Sequence, residues 1–215
     1  MNRSSRPPRA VVFDIDGTLL PGTTVCHFLA ERMGHLEMIV EMEAAWHAYE
    51  IDNRTFSRRD AVNYRGVPVA EVEARLVDLP LIVGLDEVCR RLAEAKVPVK
   101  LASCTWSFAG RYLQRRLELD GHCGTEMAEA DGVLLGRVAR FCNERDKAAH
   151  AVAFARGHGI DISDCVAVGD SRSDVPLFEA AGRAIALNAR PDARAATDEH
   201  LDTGDLRDLL PLLGL

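Results

Sequence analysis

Three short apolar runs in this chain each stop on residues able to do chemistry, and that pattern restricts the fold more than any other feature. Ala10 to Asp14 is rich in β-branched and aromatic residues and gives way to Asp14, Asp16 and Gly17. Val97 to Ser103 and Cys165 to Gly169 have the same form, and Arg183 to Leu187 supplies a fourth run. Buried parallel strands read as continuous apolar runs, and the loops at their carboxyl ends gather functional residues in a doubly wound sheet. Helical periods lie between them, at Leu85 to Lys96, Trp106 to Leu119, Arg145 to Arg156 and Asp174 to Ala181. Alternation of this kind predicts an α/β fold with a doubly wound parallel sheet.

The stretch 21–83 breaks the alternation. Leu36 to Tyr49 and Ala70 to Leu79 have helical periodicity, no strand pattern is present, and Pro21-Gly22 and Pro80 with Gly84 punctuate the borders. The expected division is a core of residues 1–20 and 84–215 with a small helical cap, 21–83, placed to exclude water and choose a substrate. Asp131-Gly132, between extendable segments of Glu126 to Phe141, predicts a β-hairpin. Asp205 to Leu213 predicts a last helix packed on the outside.

With 215 residues, 47% of them hydrophobic, the chain can bury the core of one large domain or of a core with a small second domain. A formal net charge of -7 disfavours the basic face that a nucleic-acid polymer or an anionic membrane would require, so a small-molecule partner is expected. The first nine residues are basic and Pro-rich, without the apolar stretch of a secretory signal, and read as a tail. No run approaches the roughly 20 apolar residues of a membrane span. A cytoplasmic protein is expected, and a homodimer is compatible with the sequence. The six cysteines lack C-x-x-C or zinc spacing and read as reduced packing thiols. Cys104 follows Ser103 directly, but no neighbouring His-bearing segment offers it a base, and it has no part in the expected chemistry.

Asp14-Ile-Asp16-Gly17-Thr18 carries the first chemical signal. A carboxylate that attacks a phosphoester needs a divalent cation beside it to offset the repulsion between anions. Asp14, at the strand end, is the candidate nucleophile. Asp16, two residues on, can aim its carboxyl at the leaving oxygen as general acid and then base, with its backbone carbonyl toward the metal. A calcium loop is excluded because Leu19 and Val25 occupy the positions that would need Gly and a bidentate Glu. Asp170 and Asp174, four apart after Gly169, can turn toward one cation together with Asp14, and such an all-oxygen set suits Mg2+. Ser103 can donate to a phosphate oxygen, with Thr18 a further candidate phosphate ligand. Lys147 sits in the first turn of a helix, where the dipole disfavours a cation, and that misfit points to functional use of its charge.

The series D-x-D-G-T, Ser, Lys and G-D-x-x-x-D resembles the haloacid dehalogenase superfamily, in its phosphoserine-phosphatase-like branch, over nearly the whole chain. The resemblance implies that 21–83 is the C1 cap of that branch. It also implies that Asp14 forms an aspartyl-phosphate, Asp16 is the acid/base, and Ser103 and Lys147 hold the phosphoryl group. Asp14, the Asp16 backbone, Asp170 and Asp174 would then surround Mg2+. Asp16 argues against a dehalogenase, whose members lack that second aspartate. Phosphoserine phosphatases carry a Glu about nine residues after the nucleophile to read the substrate amino group; Thr23 stands there, so a different phosphomonoester is expected, with Thr23 in its pocket. A cap arginine of the branch would be sought among Arg54, Arg58, Arg59 and Arg65, and pocket aromatics among Phe28, Trp46, Tyr49, Phe56, Tyr64, Trp106 and Phe108. Two alternatives stay open: a phosphotransferase or mutase with the same intermediate, and a non-enzymatic phospho-acceptor switch.

Overall fold

Four residues of β1 (Ala10–Phe13) are all buried, which suits only a strand covered on both faces. The computed structural model describes residues 7–215, so most of the expected tail lies outside the described residues. In it β1 is the centre of a seven-stranded sheet of order β4-β3-β2-β1-β5-β6-β7. The other strands are β2 (Val99–Trp106), β3 (Gly121–Ala130), β4 (Val133–Arg140), β5 (Cys165–Gly169), β6 (Arg183–Leu187) and β7 (His200–Leu201). Every pairing is parallel except that of β3 with β4. Phe13 stands opposite Leu101 on one side and Val168 on the other, which levels Asp14 with the residues that follow Leu101 and Val168. The expected α/β sheet is therefore present, with an antiparallel edge.

Helices α5 (Leu85–Glu94), α6 (Ser107–Arg116), α7 (Glu144–Gly157) and α8 (Val175–Ala180) follow the expected periods. The second strand differs. It was expected to end at Ser103 but runs on to Trp106, because β3 pairs with it again at Trp106–Thr125 after a register shift that begins at Ala102. The irregularity leaves Ser103, Cys104 and Thr105 out of the regular ladder, and a bulged segment of this kind re-aims side chains beside a site. Trp106 consequently closes a strand instead of opening a helix. The short α9 (Pro191–Ala195) opens on Pro191 and Asp192, a helix start, whereas the edge strand β7 has no sequence signal of its own and exists through Ala186 N–H to Glu199 O and Asn188 N–H to Leu201 O, both 2.9 Å.

Between β1 and α5 the described residues form α1 (Val25–Met33), α2 (Leu36–His47), α3 (Asn53–Ala61) and α4 (Val69–Arg75) and contribute no strand to the sheet. Thr24 and Asp52 cap α1 and α3 by accepting from His27 N–H and Thr55 N–H, a usual start for helices so short. The hairpin turn has φ of 50° at Asp131 and 75° at Gly132, as the tightest turns require. Its strand β4 then docks on the helical segment: Gly66 N–H donates to Leu134 O at 2.8 Å and Leu134 N–H to Val67 O at 2.9 Å. One apolar cluster runs without interruption from Val11, Phe13 and Val168 in the sheet to Leu29, Ile39, Tyr64 and Leu76 in the helices.

The chain's end corrects a further expectation. A single outer helix over Asp205 to Leu213 is replaced by a 3-10 turn at Leu206–Leu209 and α10 (Leu210–Leu213). Leu206, Leu209, Leu210 and Leu213 are buried in the main cluster, since this segment closes the apolar face of α5. No described helix is long and apolar enough to cross a membrane. Leu209→Ala is expected to destabilise the fold by about 2–5 kcal/mol in urea denaturation, as for other fully buried leucines; a loss below about 1 kcal/mol would mean that the end packs outside.

Candidate active site

Lys147 is completely buried, so its Nζ must be satisfied by partners inside the protein. It lies 2.9 Å from Asp14 Oδ1 and 2.5 Å from Asp174 Oδ1, and donates to Ser173 Oγ at 3.3 Å. The helix that carries it is capped at Asn143, which accepts from the N–H groups of Arg145 and Asp146, with Asp146 returning the bond to Asn143 N–H. Two carboxylates thus outweigh the unfavourable dipole position seen in the sequence.

Each carboxylate is fixed by its own strand end. Asp14 continues β1 with its N–H on Val168 O at 2.9 Å. Asp174 Oδ2 accepts the N–H groups of Asp170 and Ser171, both at 3.1 Å, so this side chain folds its own loop. Asp170 Oδ1 accepts the Thr18 hydroxyl at 3.2 Å. Thr18 is buried outside the cavity wall, with its hydroxyl committed to Asp170; this is a positioning contact where a phosphate contact was expected. The loops have no spare room: a Cβ on Gly17, whose φ is 79°, would stand 2.3 Å from Asp170 Oδ2, and one on Gly169 would stand 2.3 Å from Asp174 Cγ.

One ligand oxygen from each of Asp14, Asp170 and Asp174 lies within 4.8 Å of the others. The electrostatics of the cluster suit a further positive charge. Burial and then Asp174 push Asp14 up to about 6 against the pull of Lys147. Burial, Asp174 and Asp14 push Asp170 up to about 9. Lys147 is drawn down by burial, but Asp14 and Asp174 prevail and hold it well above the ordinary lysine range. Hard carboxylate oxygens in this number suit a divalent cation such as Mg2+.

Asp16 stands apart from that cluster. Its Oδ1 accepts Val25 N–H at 2.7 Å at the start of α1, and burial followed by Asp14 pushes it up to about 7. A carboxyl in that range can hold a proton near neutral pH and release it.

Asp14, Asp16, Asp170, Ser103 and Thr23 line one cavity of about 690 Å3. Ser103 is buried, its Oγ accepting Thr105 N–H at 3.3 Å. Of the seven aromatics considered, Trp46, Phe56 and Trp106 line the cavity. Phe28, Tyr64 and Phe108 are core, and Tyr49 is 62% exposed. Arg54 and Arg58 lie over the Phe141 ring at 4.7 and 5.2 Å, and neither they nor Arg59 and Arg65 line the cavity; the arginine that does is Arg190. A polar group missed in the sequence also lines it: Glu43 accepts the Thr24 hydroxyl at 2.7 Å and stands 3.0 Å from His27 Nδ1. Thr24 and His27 share the first turn of α1, three apart, and that spacing was the available signal. Burial raises the Cys104 thiol well above its ordinary range, which keeps it protonated.

A family model described as haloacid dehalogenase-like hydrolase matches residues 11–179. Phosphoserine phosphatase SerB2 of Mycobacterium tuberculosis is 31% identical over 211 residues, 98% of this chain and 51% of the relative. The chain thus spans about half the length of that relative, and likewise 51% of a Streptomyces coelicolor phosphoserine phosphatase. A Methanocaldococcus jannaschii phosphoserine phosphatase is 25% identical, with 94% of this chain and 96% of the relative covered. Among solved structures, a phospho-aspartyl intermediate analogue of phosphoserine phosphatase superposes with a TM-score of 0.83 at 24% identity, over 95% of this chain and 98% of the other.

The raised carboxyl values have a defined sign. Above the ordinary Asp value of 3.8 the folded chain holds protons that the unfolded chain has lost, so metal-free stability falls as pH rises toward about 9. Cation binding needs the deprotonated carboxylates, so Mg2+ is expected to raise the melting temperature far more at about pH 9 than at about pH 6. A pH-independent Mg2+ effect in thermal-shift measurements would count against a metal site here.

Proposed function

Because the chain belongs to the haloacid dehalogenase-like hydrolase family, we propose that it is a Mg2+-dependent phosphatase acting on a small-molecule phosphomonoester through an aspartyl-phosphate on Asp14. The carrying observation is the meeting of Asp14, Lys147 and Asp174 within 2.9 Å at the carboxyl ends of β1 and β5, with Asp16 on the wall of the same cavity. Asp14, Asp170 and Asp174 would hold Mg2+ with the Asp16 carbonyl. The cation supplies charge neutralisation for the approach of one anion to another.

Lys147 is bonded to Asp14 Oδ1, and in this reading Oδ2 is the attacking oxygen. A bond forms between that oxygen and phosphorus while the bond to the leaving oxygen breaks, and Asp16 transfers its proton to the leaving oxygen. The Asp16 carboxylate then takes a proton from water, whose oxygen displaces Asp14 and releases phosphate. Ser103, on the cavity wall, holds a phosphoryl oxygen, and Lys147, which is buried behind that wall on Asp14 and Asp174, would reach one by exchanging part of those contacts. Residues 21–83 act as a cap that contributes Thr23, His27, Glu43, Trp46 and Phe56 to the cavity wall.

A volume of about 690 Å3 is far more than a three-carbon leaving group fills, and the aromatic walls with the Thr23, His27 and Glu43 pole favour a bulkier, hydrogen-bonding one. Transfer to an organic acceptor uses the same residues, and the same space would admit that acceptor.

Purified protein is expected to release phosphate from one class in a phosphomonoester panel, with Mg2+ and not with chelator, and to turn over phosphoserine more slowly. Asp14→Asn should lower kcat on the order of 10,000-fold or more, and Asp16→Asn by about 100- to 10,000-fold. Full activity in Asp14→Asn would sink the assignment. Product yield that rises with added alcohol while phosphate release falls would move it to a transferase.

A further inference from the structure

Arg172 lies between Asp170 and Asp174 in the loop that presents both carboxylates, yet its guanidinium turns away from them. Its Cζ stands 4.1 Å from the Trp46 ring centroid and 4.0 Å from that of Tyr49, so the cation lies over two aromatic rings at once. Among the described residues it has no carboxylate partner: an amino group donates to Ile51 O at 3.4 Å, and Nε is buried without a partner. A planar, weakly hydrated guanidinium suits contact with two rings, and lysine would not reproduce it.

The aromatic partners belong to the helical segment. Trp46 is in the last turn of α2 and lines the cavity; Tyr49 follows with φ of 62°, a conformation that costs a non-glycine residue energy and persists only where surroundings enforce it. The same crossing makes two more contacts to the sheet layer. Tyr49 donates to Asp192 Oδ2 and Asn53 to Glu144 Oε1, both at 2.7 Å. Residues 46–53 are therefore fastened to the loop of Asp170 and Asp174, to α9 and to the start of α7.

We propose that Arg172 is a positioning residue that joins the carboxylate loop to the leaving-group wall, so that cation binding at Asp170 and Asp174 and the placement of Trp46 over the cavity are coupled. The inference rests on the Mg2+-phosphatase reading for its consequence in turnover. Its coupling is a separate matter of equilibrium: if the stacked loop is the cation-binding loop, each arrangement stabilises the other by the same factor. Arg172 touches no reacting atom and acts through Trp46 and the loop.

The chain has two tryptophans, so Trp106→Phe, combined with Asp60→Asn so that no buried carboxylate loses its indole partner, makes Trp46 the sole reporter. In that background Mg2+ titration should change Trp46 emission and reduce its acrylamide quenching. Adding Arg172→Ala should abolish the Trp46 response and weaken Mg2+ binding about tenfold by thermal shift, the scale of a lost stacked cation. Tyr49→Ala, which removes one of the two rings, should give a smaller response of the same sign and serves where Arg172→Ala does not fold. With Trp106 intact, Arg172→Ala should raise KM about tenfold and change kcat less than about threefold, and Arg172→Lys should recover only part of the loss. A Trp46 response identical with and without Arg172, or no response to Mg2+ in the parent, overturns the coupling even where phosphate release persists. A response lost in Arg172→Ala in a protein that hydrolyses no phosphomonoester sustains the coupling and removes the phosphatase reading instead.

Discussion

The ammonium of Lys147 holds the centre of this molecule together. Bringing Asp14, Asp170 and Asp174 into one dry volume is unfavourable: burial first, and then the neighbouring carboxylates, raise Asp14 and Asp170, and one buried ammonium opposes this only in part. A buried pair of this kind contributes little net stability over an apolar replacement, but removal of one partner leaves an uncompensated charge, at about 3–5 kcal/mol. The surrounding backbone is arranged accordingly. Gly17 and Gly169 are present because the carboxylates already fill the space a side chain would take, and Asp174 folds its own loop through two N–H groups. The fold has accepted electrostatic strain at the place where a divalent cation would relieve it.

That strain is delivered by register. Phe13, Leu101 and Val168 are level, so the residues after them must emerge side by side. This part of the molecule was legible in the sequence, since a buried strand and the polar residue that ends it are both local signals. Cys165–Gly169 and Arg183–Leu187 have the bounds their composition implies. What was not legible depended on partners distant in sequence. The extension of β2 to Trp106 is set by Thr125 on β3, and β7 by hydrogen bonds to β6. Thr18 looked like a phosphate ligand because nothing local reveals that its hydroxyl meets Asp170, 152 positions away. The cap arginines follow the same logic: helical phase places Arg54 and Arg58 over Phe141, and the cavity's arginine comes from the loop after β6.

The helical segment and the sheet also share more than a hinge-like border would suggest. Their apolar residues form one cluster, β4 pairs with the 66–69 backbone, and Tyr64 packs against Trp106 and Phe108 with ring centroids 5.9 and 6.0 Å apart. Asp60, fully buried on α3, accepts the Trp106 indole N–H at 2.7 Å and lies 3.3 Å from His35 Nε2. A carboxylate so placed is costly unless its partners are fixed, and fixing them fixes Trp106.

The two tryptophans of the chain therefore wall the cavity in a reciprocal way. Trp106 comes from β2 and is held by a charge on the helical segment, Asp60; Trp46 comes from the helical segment and is held by a charge on the sheet layer, Arg172. Each wall is anchored across the boundary, so neither layer can shift without disturbing a desolvated charge. Reshaping the leaving-group space by substitution at the walls alone would leave Asp60 or Arg172 without its partner. On the proposed phosphatase reading, specificity would be encoded in pairs, Asp60 with Trp106 and Arg172 with Trp46, and a change in the preferred leaving group would require both members of a pair to change together.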